Sequence, residues 1–357
     1  MRAYERLLKY VKVHTTSAED QGVTPSTPCQ WDLARLLVDE LKELGLENPS
    51  VDENCIVTAW LPATPGCENA PALGFLAHMD TSPAFSGENV DPILHENYDG
   101  GDIVLPKEGR VIRASDFPFL SGLKGQTLIT ADGSTLLGAD DKAGVAEIVT
   151  LCERLLAEGT PHGRICVAFT PDEEIGEGPD HFDVAGFGAK YAYTVDGGAA
   201  GSIEYENFNA AAARLDITGV SVHPGSAKDT MENALLIAQE FNALLPADAI
   251  PAKTEGYEGF FHLDRLEGSV AFARMDYIIR DHDRAKFEEK KALMERIAAQ
   301  VQAGHPTAKL ELTVKDSYYN MKEKLADCMH LVDNAKTAAR LAGVAPTVEP
   351  IRGGTDG

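Results

Sequence analysis

Short apolar runs that each stop at a cluster of acidic or imidazole side chains constrain this chain more than any other feature. Leu73–Ala77 runs into His78-Met79-Asp80, Ile165–Phe169 into Thr170-Pro171-Asp172-Glu173-Glu174, and Tyr191–Val195 into Asp196-Gly197-Gly198. Ile56–Leu61 and the brief Leu136–Leu137 have the same strand-like texture. Helical patterns separate them. Residues 31–44 carry Leu at helical spacing with charges opposite and Gly45 as a stop, and a second helix begins near Lys142. Strands alternating with helices argue for an α/β layer with a largely parallel sheet.

Two stretches depart from that alternation. The region 84–126 is rich in Gly, Asp and Pro with few apolar runs, and a long irregular insertion of this kind is usually functional or mobile. After residue 208 the pattern becomes strand, helix (Glu232–Leu245), strand, amphipathic helix (Arg284–Ala303) and a final strand LELTVKD. That β-α-β-β-α-β-like run suits a small α+β domain inserted in the larger one. The organisation expected is therefore a first domain over 1–207, an inserted domain over 208–320 and a return segment over 321–357. At roughly 150 residues per domain, 357 residues agree with about two domains.

Composition narrows the partners. A formal net charge of -24 repels nucleic-acid phosphates and anionic lipid headgroups, so neither nucleic acid nor membrane is an expected partner. No apolar run approaches the ~18 residues needed to cross a bilayer. The N-terminal stretch has helical periodicity (Tyr4, Leu7, Leu8, Val11) broken by Glu5, Lys9 and Lys12, unlike a signal peptide. Six widely spaced cysteines without a C-x-x-C read as reduced thiols, which points to the cytoplasm.

The acidic clusters are where chemistry can sit. Residues two apart on an extended chain share a face, so His78 and Asp80 can point into one cleft, the carboxylate orienting the imidazole. Gly138-Ala139-Asp140-Asp141-Lys142 lies between a strand and a helix, where either aspartate could complement the helix dipole or serve as a hard oxygen ligand. Asp172-Glu173-Glu174 places three acids together, which repel unless solvated or met by a cation. Asp196 closes the set, although by itself it reads equally as a plain Asp-Gly turn. One histidine among several carboxylates suits zinc or manganese rather than a thiolate site.

Taken in order, L-A-H-M-D-T, G-A-D-D-K-A-G, T-P-D-E-E-I-G-E-G and V-D-G-G resemble the co-catalytic zinc peptidases of the M20 family, within it most closely the aminotripeptidases. The likeness runs from the N-terminal helix to Asp356. It implies a zinc-peptidase catalytic domain with an inserted lid, two Zn2+ per subunit, a tripeptide substrate and a homodimer formed through the lid. His78 and Asp196 match the terminal ligands of one zinc, Asp140 the bridging carboxylate, and Glu174 a ligand of the second zinc. In the family the bridging Asp stands two before Lys, which makes Asp141 the weaker candidate. Glu173 matches the general base acting on the metal-bridging water, and Asp80 the carboxylate behind His78. His223 in V-H-P-G matches an oxyanion-stabilising histidine; Asn233 and Arg280 resemble residues that grip substrate carboxylate or carbonyl groups. Arg352 resembles a further substrate-side arginine on the catalytic domain.

One departure from the pattern is expected to matter. The family continues past the segment ending at Gly357 with a strand, a helix and a histidine that completes the second zinc site, and no residue here matches that histidine. The sequence thus supplies His78, Asp196 and Asp140 to one metal and only Asp140 and Glu174 to the other. Two further readings stand beside the tripeptidase: another M20-type amidohydrolase (dipeptidase, carboxypeptidase or deacylase), or an inactive truncated remnant that binds metal.

Overall fold

A computed structural model describes residues 1–355; Asp356 and Gly357 lie outside the described residues. The chain divides into two units, Met1–Gly198 with Thr355, and Ala199–Gly354. This differs from the expected boundaries of 207/208 and 320/321. Ser202–Ile203 pairs in parallel with Thr347–Val348, and the Ile351 amide donates to the Glu206 carbonyl at 2.8 Å. Both flanks of the insert therefore close on each other, and 321–354 falls within the second unit.

The first unit is built on a five-stranded sheet: β1 (Glu47–Val51), β2 (Val57–Leu61), β3 (Leu73–His78), β4 (Ile165–Thr170) and β5 (Tyr191–Thr194), in the order β1-β2-β4-β3-β5. β3 is parallel to both β4 and β5, while β1 and β2 add an antiparallel edge, giving a mixed sheet. β4 is buried along its whole length, as its unbroken apolar run requires of a central strand. Helices α1 (Ala3–Tyr10), α2 (Gln30–Leu44) and α3 (Ala139–Glu158) pack their apolar stripes on it, with Leu33, Leu37, Leu41, Val145, Ile148, Val149 and Cys152 in one core.

α2 ends at Gly45 in a left-handed conformation (φ 88°). Leu136–Leu137 forms no strand; it is a loop, with the Leu136 amide on the Ser86 carbonyl at 2.8 Å. Two residues between a bend and the start of α3 leave no length for a ladder. The 84–126 region is irregular as expected, closed by two small strand pairs around a satellite core of Tyr98, Ile103, Leu105 and Leu120.

The second unit is a four-stranded antiparallel sheet: β6 (Asn209–Thr218), β7 (Phe260–Gly268), β8 (Phe272–Asp281) and β9 (Lys309–Tyr318), ordered β7-β8-β6-β9. Strand β6 alternates between buried and open positions after its first residues, so Ala213, Leu215 and Ile217 face one side. Helices α4 (Ala234–Leu244) and α5 (Arg284–Gly304) cover that side with Ile237, Phe241, Phe287, Met294 and Ile297. The order β-α-β-β-α-β is the expected one, and β7 is the strand the pattern did not locate. A final helix, α6 (His330–Leu341), follows. No helix among the described residues is long and apolar enough to cross a membrane, and all six cysteines are free.

Candidate metal centre

Three parallel strands bring the clusters together. Because β3, β4 and β5 run the same way, their C-terminal ends share one sheet edge, where ligands are bound in open α/β sheets. β3 delivers His78 and Asp80, the turn after β4 delivers Glu173 and Glu174, the residue pair after β5 delivers Asp196, and the start of α3 delivers Asp140. Gly144 makes the last arrangement feasible. A Cβ there would lie 1.8 Å from the Val195 carbonyl oxygen, so only glycine lets α3 approach the end of β5.

His78 is the hub. Its Nδ1–H donates to Asp80 Oδ1 at 3.2 Å, and its Nε2 faces Asp140 Oδ1 at 3.0 Å. Asp196 Oδ2 and Glu173 Oε2 lie 3.7 and 3.9 Å from the same Nε2. Asp80, wholly buried, also accepts the backbone N–H groups of Glu173 (3.0 Å) and Glu174 (3.2 Å). One carboxylate thus fixes the imidazole's orientation and the path of the acidic turn, leaving Nε2 as the nitrogen presented to the cluster.

The electrostatics are strained in the way a cation would relieve. Burial opposes charge on His78, but hydrogen bonds to Asp140 and Asp80, with the nearby negative charges, push the imidazole up to about 12. Burial, reinforced by Asp196, pushes Asp141 up to about 9. Burial and the charge of Asp140 raise Glu174. The hydrogen bond from His78 holds Asp140 below the usual carboxylate range.

Two sets of ligand atoms each lie within 4.8 Å of one another: His78, Asp141 and Asp196, and His78, Asp140 and Glu174. A single imidazole with several carboxylate oxygens is a donor set that fits divalent ions such as zinc or manganese.

Asp141, the weaker ligand candidate by sequence, also stands beside the cluster. It is buried, accepts the His78 amide at 3.2 Å and the Gly144 amide at 3.2 Å, and belongs to the first of those sets. Asp140 and Asp141 depart from helical geometry although they open α3, and that backbone detail aims the two carboxylates differently. Asp172 stands in the acidic run, yet it turns away from its neighbours: its carboxylate accepts Ser26 N, Ser26 Oγ and Gln30 Nε2 at 2.7, 2.5 and 2.6 Å. Nothing in the sequence marks that split, because it follows from a left-handed φ of 59° at Asp172.

The other four expected residues belong to the second unit. His223 is exposed in a short turn, its Nδ1 accepting the Gly225 amide at 3.1 Å, so the ring proton sits on Nε2. Asn233 caps α4 through the Leu235 amide at 3.0 Å. Arg280 donates to the Ala211 and Ile279 carbonyls at 3.3 and 3.0 Å. Arg352 falls within Ala199–Gly354. It donates to the Gly256 and Glu258 carbonyls at 2.7 and 2.9 Å and stacks over Phe208. Each has a local structural partner.

A mixed α/β sheet with an imidazole–carboxylate edge, joined to a βαββαβ insert, has the layout of an M20-type metallopeptidase. Residues 205–308 match the M20 family model described as a peptidase dimerisation domain. Peptidase T of Geobacillus kaustophilus is 54% identical over 355 residues, covering 99% of this chain and 86% of that protein. Peptidase T of Halothermothrix orenii is 54% identical over 358 residues, covering 100% and 88%. The chain belongs to the peptidase T family of M20 metallopeptidases.

Among solved structures, aminopeptidase PepT from Bacillus cereus shares the fold with a TM-score of 0.77 at 24% identity, over 99% of this chain and 85% of that one. The Bacillus subtilis YXEP protein, described as a dinuclear metal binding peptidase from the M20 family, shares it with a TM-score of 0.63 at 15% identity, over 99% and 84%.

Proposed function

We propose that this chain is a metal-dependent aminopeptidase that releases the N-terminal residue of a tripeptide, with Glu173 as general base. The observation that carries the reading is the placement of the Glu173 carboxylate 3.9 Å from His78 Nε2 while its own amide is tied to Asp80. His78, Asp196 and Asp140 would hold one ion, and Asp140 with Glu174 a second; we assign both as zinc. When bound, the ions supply Lewis-acid polarisation of the scissile carbonyl and make water a stronger acid.

The protein's own groups then do the proton work. Glu173 takes a proton from the attacking water and returns it to the leaving amine. Asp80 keeps the His78 proton on Nδ1. By resemblance to the family, His223 donates to the developing oxyanion, while Asn233, Arg280 and Arg352 bind substrate carboxylate or carbonyl groups. The match over 205–308 supports a homodimer, and the unpaired cysteines support a reducing, cytoplasmic setting.

Glu173→Gln tests the reading. It should lower kcat by about 10²–10⁴-fold with zinc content unchanged; near-normal turnover would remove Glu173 from the role. A panel of di-, tri- and tetrapeptides with N-acyl amino acids tests the substrate class, and cleavage of the acyl compounds without tripeptides would favour a deacylase.

A further inference from the structure

We infer that Ser26 and Gln30, acting through Asp172, are positioning residues that set where Glu173 stands; the inference rests on the reading of Glu173 as the base. The turn that carries Glu173 is short and self-closed. Asp172 has a left-handed φ of 59°, Glu173–Ile175 form a single 3-10 turn, and Gly176 follows at φ 79°. The Glu177 amide donates to the Asp172 carbonyl at 3.0 Å.

Such a turn is held in place by whatever grips its back, and two wholly buried carboxylates do so. Asp80 takes the amides of Glu173 and Glu174. Asp172 takes three donors from the 26–30 segment, Ser26 N, Ser26 Oγ and Gln30 Nε2, while its amide donates to Gln30 Oε1 at 3.3 Å.

The grip is part of a closed ring. The Ala18 amide donates to Ser26 Oγ at 3.0 Å, and the Ser17 amide donates to the Thr81 carbonyl at 3.1 Å. Thr81 follows Asp80 directly, and Asp80 returns to the Glu173 amide. Following covalent and hydrogen bonds, one passes from Asp80 to Thr81, Ser17, Ala18, Ser26, Asp172, Glu173 and back to Asp80. The ring ties the backbone that carries the base to the carboxylate that orients His78, so that backbone cannot shift relative to the imidazole without straining a bond in it. Ser26 is the one side chain in the ring that meets both Asp172 and Ala18, and it is remote in sequence from every proposed ligand. Buried hydrogen bonds to a carboxylate are the strong kind, which suits a group that must hold another still.

Ser26→Ala removes the hydroxyl that joins Ala18 to Asp172 and changes none of the proposed ligands or the base itself. In the metal-free protein, amide exchange at Glu173 and Glu174 should speed up, because their bonds to Asp80 lose the support behind them. With zinc restored, kcat on a tripeptide should fall by about 10²-fold, the size expected for a ~1 Å misplacement, with KM and zinc content unchanged. Ser26→Thr, which keeps the hydroxyl, should recover both readouts. Gln30→Met, which removes a second donor to Asp172, should repeat the Ser26→Ala pattern and serves if that variant does not fold.

Unchanged exchange and unchanged kcat in both variants, or a Ser26→Thr protein as impaired as Ser26→Ala, would overturn the inference. So would KM moving in step with kcat. If Glu173→Gln keeps full activity, the reading of the base fails; if it is inactive while Ser26→Ala is normal, only the positioning role fails.

Discussion

Around His78 in the first unit, four carboxylates stand within 4 Å of the ring nitrogens, at 3.0, 3.2, 3.7 and 3.9 Å. On the sheet of the second unit the carboxylates are matched with bases. Arg214 meets Asp276 at 2.8 Å, Arg274 meets Asp216 at 2.7 Å, Lys291 meets Asp316 at 2.8 Å and Lys290 meets Asp281 at 2.7 Å. The second arrangement is what folding alone selects: mostly half-exposed pairs, each contributing ~0–1 kcal/mol. The first costs stability in the metal-free protein, since burial and like charge push Asp141 up to about 9. Crowded acids at a strand edge are therefore informative because stability does not explain them.

The largest expected effect breaks the first unit at the point where its helix meets the ligand strand. Gly144→Ala places a methyl 1.8 Å from the Val195 carbonyl and 2.6 Å from Asp141 Oδ1. The helix start or Asp196 must move, at a cost of about 3 kcal/mol. Trp31 and Trp60, the only two tryptophans, both lie in the first unit, so their emission should report an earlier urea midpoint. An unchanged midpoint with normal zinc binding would show that the close approach is not required.

Next in size is Asp80→Ala, which strips three donors of one acceptor. Zinc affinity should fall by about 10–100-fold, measured by competition with a chelating dye. Unchanged affinity would mean that the imidazole is oriented by other contacts.

Much of this contrast is legible in the sequence. His78 and Asp80 share a face by strand alternation, and the βαββαβ order of the second unit follows from its apolar periods. What stayed hidden depends on backbone angles or on partners far along the chain. Whether Asp140 or Asp141 points to the cluster turns on two non-helical residues at a helix start. Asp172 leaves its acidic neighbours because of one left-handed residue. β1, Glu-Asn-Pro-Ser-Val, has no strand-like composition and exists because β2 offers it a ladder. The two-residue pairing of Ser202–Ile203 with Thr347–Val348 carries no sequence signal, because two residues are too short to show a period.

The smallest effect tests whether the second unit's pairing is the ordinary kind. His305, just past the end of α5, donates from Nδ1 to Glu232 at 2.6 Å and from Nε2 to Glu240 at 2.9 Å, tying α5 to α4. The hydrogen bond to Glu240 raises its pKa, burial partly opposes that, and Glu232 adds to the rise. A histidine raised in the folded state binds a proton that the unfolded chain, near 6.5, has begun to release. Its stabilisation is full below about 6.5 and is lost as pH climbs through the folded value. His305→Gln should therefore cost about 1 kcal/mol at pH ~5.5 and progressively less at alkaline pH. The loss should appear as faster amide exchange in α4, with tryptophan emission from the first unit unmoved. A penalty that grows with pH would mean that His305 packs as a neutral ring, and that charge pairing does not hold these two helices together.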